Sequence, residues 1–115
     1  MPHMPATGVS GVDLYSYDKN GNEVWLRGKY SFKDTVTYTY SNIEMENAKG
    51  RYHRYTLFLP LYNEVKSMEI GVEDGSKFRF EEPAPVKPIV AYGTSICQGA
   101  CASRPGMAWT NILQR

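Results

Sequence analysis

An apolar run, Ile89-Val90-Ala91-Tyr92, ends in Gly93-Thr94-Ser95. A Gly- and Ala-rich turn holding Cys97 and Cys101 follows, then Pro105. A serine at the carboxyl end of a strand, entering a helix, is well placed to be a nucleophile. Ligands of open α/β sheets sit beyond the strand ends, and a helix N-terminus favours negative charge. Gly93 lets the backbone turn sharply just before it. The hydroxyl is nonetheless weak at neutral pH. It needs a general base, usually a carboxylate-oriented histidine, and donors for the oxyanion. His3 and His53 are the two histidines. His3 lies near a terminus and reads as solvated. His53 sits in a strand pattern among Arg and Tyr and reads as a strand-face residue. Neither is assigned as the base. Gly-x-Ser after a strand is common, and on local chemistry alone Ser95 reads as a turn residue or helix cap.

Other side chains able to do chemistry have ordinary readings beside the sharper ones. Cys97 and Cys101 are the only cysteines. Their C-x-x-x-C spacing lacks the second pair or histidines of a zinc site and reads as two semi-buried thiols, with a local disulfide as the alternative. Neither a metal nor a cofactor is called for. Arg104, beside the serine loop, could contact a substrate, though such an arginine more often caps carbonyls or pairs with a nearby carboxylate. Trp25, Tyr38, Tyr40 and Tyr55 could stack on sugar rings, and the favoured reading is packing with a polar tip left wet. "RYHRY" mixes basic and aromatic residues, as nucleic-acid binders do, but it is one isolated stretch.

The elements that must position these groups come in two types. Residues up to about 80 read as short strands separated by turns. "GVDLYSY" places Val12, Leu14 and Ser16 on one face and Asp13, Tyr15 and Tyr17 on the other. Asn20-Gly21 predicts a hairpin turn, with "EVWLRGKY" as the return strand. "DTVTYTYSN" alternates Val36, Tyr38 and Tyr40 with threonines, which suits a sheet with one buried face. "NIEMENAKG" has weak helical or loop character. "RYHRYTLFLPLY" is a longer strand ended by Pro60. "VKSMEIGVE" and "KFRF" predict a second hairpin about Asp74-Gly75. Strands at this spacing point to an antiparallel sandwich. "EEPAPVKP" then reads as a semi-rigid linker. After it, "IVAY" is apolar without alternation, like a strand buried on both faces. Ser103 and Pro105 predict the cap and first turn of a helix through "MAWTNILQR". The expected organisation is a β-sandwich over 1–80, a linker over 81–88, and the first strand, loop and helix of an α/β domain over 89–115.

Composition narrows the classes. The 115 residues allow one small domain, and 42% hydrophobic with 22% charged is ordinary for a globular protein. A net charge of +1 with interspersed signs argues against nucleic acid. No apolar run reaches the length of a membrane span. "MPHMPATGVSGVDLY" shows no basic stretch followed by an apolar core, so no signal peptide is visible.

"KPIVAYGTSICQGACASRPGMAWTNIL" resembles the first block of SGNH (GDSL-type) hydrolases, in which the Gly-Asp-Ser of the name can read Gly-Thr-Ser. "GVDLY" at 11–15 is similar to the signature of the GxDLY domain, a β-rich domain that precedes the hydrolase domain in one bacterial branch. "YTLFLPLYNEVKSMEIGV" resembles its later strands. The two signatures stand in the expected order.

The resemblance implies a mainly β chain: an antiparallel, jelly-roll-like β-sandwich followed by the first βα unit of a flavodoxin-like SGNH domain. It implies an esterase or acylhydrolase acting on a small-molecule or glycan ester, such as an acetylated carbohydrate. Ser95 is then the nucleophile, and its own backbone N–H is one oxyanion donor. The other donors and an Asp-x-x-His base block belong to later stretches that this sequence does not hold. A partial protein, inactive alone and completed by the remainder of the hydrolase domain, is therefore expected, with a secreted or periplasmic bacterial parent. The competing expectation is a carbohydrate-binding or cleft-completing module without catalysis of its own.

Overall fold

A computed structural model of the chain describes residues 2–43 and 53–114. One antiparallel sheet is formed by β1 (Asp13–Tyr17), β2 (Glu23–Leu26) and β3 (Tyr55–Phe58), in the order β2-β1-β3. The central β1 sets Leu14 opposite Leu26 and Leu57, and Tyr15 opposite Trp25 and Thr56. Three short helices complete the architecture: α1 (Ala6–Ser10), α2 (Ser95–Gln98) and α3 (Trp109–Gln114). A 3₁₀ turn, Pro105–Met107, lies just before α3. The chain is thus mainly β, with its helices reduced to one or two turns.

The first hairpin forms as its sequence demands. The Gly21 N–H donates to Asp18 O at 3.0 Å and the Asp18 N–H to Asn22 O at 2.9 Å. Only Gly21 takes positive φ (83°), so the connection is a turn closed by a left-handed glycine. Asp18 Oδ1 also accepts the N–H groups of Asn20 and Asn22 at 2.8 and 2.9 Å, which pre-forms the bend.

The period of two in 35–40 survives in burial but not in pairing. Val36, Tyr38 and Tyr40 are half-buried and the threonines exposed. The backbone makes a single bridge there, Lys29 to Thr39, with both hydrogen bonds at 2.9 Å. Ring packing holds the segment instead. Tyr38 stacks with Tyr30 at 4.7 Å and with Tyr40 at 6.3 Å between centroids.

The expected hairpin about Asp74 keeps its turn and loses its ladder. Gly75 has φ 86° and the Ser76 N–H donates to Glu73 O at 3.0 Å. No strand forms in 66–80, and Met68, Ile70, Val72 and Phe78 are about half exposed. A two-stranded hairpin without a third strand beneath it is marginal in water. The stretch expected as a doubly buried strand, Ile89 to Tyr92, is likewise fully exposed and pairs with no strand among the described residues. Its solvated N–H and C=O groups have no ladder to join. Ser103 is not the helix cap either. Arg104 takes that position, Pro105 follows in the first turn, and the α-helix starts only at Trp109. Residues 44–50, expected as weakly helical or loop, and Arg51 and Tyr52, expected to start the longer strand, lie outside the described residues.

The core is small and sits where one face of the sheet meets residues 100–108. Tyr15 and Ala108 are 1% exposed, and Phe58 and Ala100 are buried beside them. Tyr15 meets Phe58 edge-on at 5.5 Å. The radius of gyration, 15.3 Å, exceeds the roughly 13 Å of a compact domain this long.

Candidate active-site segment

Ser95 opens α2, with the extended Thr94 before it. Two glycines shape the helix. A Cβ on Gly93 would come within 2.5 Å of Cys97 Cβ, so only glycine lets the chain enter α2 against that side chain. Gly99 ends the helix at φ 97°, the left-handed cap that favours glycine. A helix of one turn aligns few peptide dipoles, so it supplies little of the N-terminal field expected from the sequence.

The sheet side of the molecule holds α2 by backbone-directed bonds. The Tyr62 hydroxyl donates to Ser95 O at 2.8 Å, and Gln98 Nε2 donates to Leu61 O at 2.6 Å. The Leu61 and Asn63 N–H groups reach the Gly8 and Val9 carbonyls of α1 at 3.1 and 3.0 Å. Trp109 Nε1 donates to Cys97 O at 2.8 Å, tying α3 to α2. Ser95 itself is exposed. Among the described residues no hydrogen bond joins its hydroxyl to a histidine or carboxylate, and both His3 and His53 are exposed. Cys97 and Cys101 are free thiols. A shallow groove of about 220 Å³ runs along α2 past Ile96, Cys101, Met107 and Trp109 without including Ser95.

The residues after α2 are clamped by β1. Asp13, 4% exposed, accepts the Gly106 N–H on Oδ2 at 2.8 Å. The same oxygen lies 3.6 Å from Arg104 Nη1. Arg104 Nη1 also donates to the Tyr15 hydroxyl at 3.0 Å. Its guanidinium lies 4.1 Å over the Trp25 ring. Of the readings open for Arg104, the structure has the carboxylate pair, with aromatic stacking added. Gly106 is packed so closely on Tyr15 that a Cβ would lie 2.5 Å from the ring. Pro105 is fully buried and its carbonyl accepts Asn111 Nδ2 at 2.8 Å. Thr7 Oγ1 donates to Ser103 O, and a Cβ on Gly8 would sit 2.3 Å from Ala102 O.

The clamp is what the sequence reading missed. Its signal was present: Asp13 shares a strand face with Tyr15, and a carboxylate on an inward face needs a partner.

Two family models match the chain. One, GxDLY, described as the N-terminus of SGNH-hydrolase-type esterases, covers residues 1–78. The chain belongs to the GxDLY family. The other, the GDSL-like lipase/acylhydrolase family, matches residues 86–115 and with the first marks an SGNH/GDSL hydrolase segment. Neither a curated protein nor a solved structure matches.

The letters of the GxDLY signature fall on Gly11, Asp13, Leu14 and Tyr15, and each has a local reason. Gly11 closes α1 by donating its N–H to Thr7 O at 3.1 Å, and a Cβ there would lie 2.3 Å from that oxygen. Asp13 and Tyr15 point at Arg104 and Gly106, while Leu14 faces Leu26 and Leu57 across the ladders. The signature of the GxDLY region is thereby bonded to the segment matched by the GDSL-like model. Among the described residues no helix is long and apolar enough to cross a membrane, and no cluster of metal-ligating side chains is found.

Proposed function

We propose that this chain is the leading part of a serine esterase acting on acylated carbohydrates, with Ser95 as nucleophile and its backbone N–H as one oxyanion donor. The supporting observation is the way an exposed Ser95 is held: α2 is bonded to Tyr62 and Leu61, and the loop beyond it to Asp13 and Tyr15. Catalysis needs such a fixed nucleophile, because small misplacements cost large factors in rate. The base comes from an Asp-x-x-His block outside this chain. Residues 1–80 are the accessory sandwich, 81–88 the linker, and 89–115 the opening βα unit of the hydrolase domain.

The chain alone is expected to give no turnover, since among the described residues no base reaches Ser95. A protein extended to include the Asp-x-x-His block is expected to cleave p-nitrophenyl acetate and acetylated oligosaccharides, and Ser95→Ala is expected to abolish both. Turnover that survives Ser95→Ala in the extended protein overturns the assignment.

A further inference from the structure

A second site lies away from Ser95. An open cleft of about 740 Å³ is lined by residues of β2 and its continuation, by Tyr38 and Tyr40, and by Ser103 and Arg104. That volume is within the usual range of small-ligand sites, about 300–1,000 Å³. Trp25, Arg27 and Lys29, spaced two apart, contribute to its lining, as do Tyr30 and Tyr40.

Its charges are unbalanced. The ionisable acid and bases of the lining are Asp13 against Arg27, Lys29 and Arg104. Asp13 is already committed to Arg104 and Gly106. Arg27 and Lys29 are exposed, and among the described residues their side chains make no ion pair or hydrogen bond. Among the described residues, two cations therefore face the cleft without a carboxylate. Beside them, the Tyr30 and Tyr40 hydroxyls have no hydrogen-bond partner among the described residues, although Tyr40 is half-buried. Burial, followed by its neighbours Tyr38 and Asp13, pushes the Tyr40 phenol up to about 12, so it remains a neutral donor. Trp25 and Tyr30 are 42% and 43% exposed, which leaves aromatic surface for an apolar face.

Cations suited to carboxylates, neutral phenols suited to hydroxyls, and aromatic surface suited to C–H faces are jointly met by one ligand class. We propose that this cleft binds an acidic oligosaccharide, with uronic-acid carboxylates on Arg27 and Lys29 and sugar hydroxyls on Tyr30 and Tyr40. The site is independent of the esterase reading, because it is measured by binding and Ser95 is not part of it.

The test is calorimetric titration of the chain with an oligogalacturonate, a neutral cello-oligosaccharide of equal length, and citrate as a small polyanion. The oligogalacturonate is expected to bind, with the other two at least about tenfold weaker. Arg27→Ala with Lys29→Ala is expected to weaken it about tenfold or more with the circular dichroism unchanged. Tyr40→Phe is expected to weaken it less. Absence of oligogalacturonate binding overturns the proposal. So does equal binding of the neutral sugar or citrate, or an unchanged affinity in the double variant. If the double variant misfolds, Arg27→Gln and Lys29→Gln taken singly decide the same point.

Discussion

Asp13 and Gly106, 93 positions apart, are joined by a buried hydrogen bond of 2.8 Å from the Gly106 N–H to the Asp13 carboxylate. One strand residue thus fixes the loop that follows the serine helix. Removing the carboxylate leaves a buried N–H without its acceptor and Arg104 without its counter-ion. Asp13→Ala is expected to destabilise the fold by about 3 kcal/mol. Asp13→Asn keeps an acceptor and should lose only about 1 kcal/mol. Urea unfolding of the two variants checks the order; equal losses would show that the acceptor is not what matters.

Gly106 is the partner that cannot grow. Gly106→Ala drives a methyl group into the Tyr15 ring, and overpacking of this kind costs about 1–3 kcal/mol. Hydrogen exchange of the Gly106, Met107 and Ala108 amides should speed up in this variant while the β1–β2 ladder stays protected. Unchanged exchange would mean the ring moves aside at no cost.

Tyr40 ties stability to alkaline pH. Its folded pKa, about 12, is raised above the ordinary value of 10.0. A raised folded pKa means its share of stability is fully present below pH 10 and is lost as pH rises toward 12. Tyr40→Phe should flatten the loss of stability across that window. Phenolate absorbance should show Tyr40 titrating late in the native protein, with Tyr17 and Tyr38 also held above the ordinary value by burial, and all of them together once unfolded.

Ile89, Val90 and Tyr92 are 97%, 85% and 101% exposed in an extended segment. Such an apolar edge recruits other chains. The chain is expected to self-associate at high concentration, and Ile89→Lys with Val90→Lys should reduce this. Light scattering decides it; a clean monomer before substitution would rule the expectation out.

Local rules were enough for some of this structure. Asn20-Gly21 fixed a hairpin because a glycine in the left-handed region closes it whatever lies elsewhere. The alternation of Val36, Tyr38 and Tyr40 foretold which side chains turn inward. Pairing was not legible at 66–80 or 89–92, because a ladder needs a neighbour and sequence periodicity names none. At the candidate site, Ser95 was visible from Gly93-Thr94-Ser95 and its flanks. The clamp was not, since Asp13 and Gly106 meet only through the fold. Arg104 lay between: its charge demanded a partner, but nothing near it in sequence supplied one.

The bonds from Tyr62 to Ser95 and from Gln98 to Leu61 bypass the intervening 63–94. Covalent continuity through the proline-rich stretch is therefore not what keeps α2 against Leu61 and Tyr62. A protease that nicks the chain within 81–92 should yield two pieces that still travel together on gel filtration and part only in denaturant.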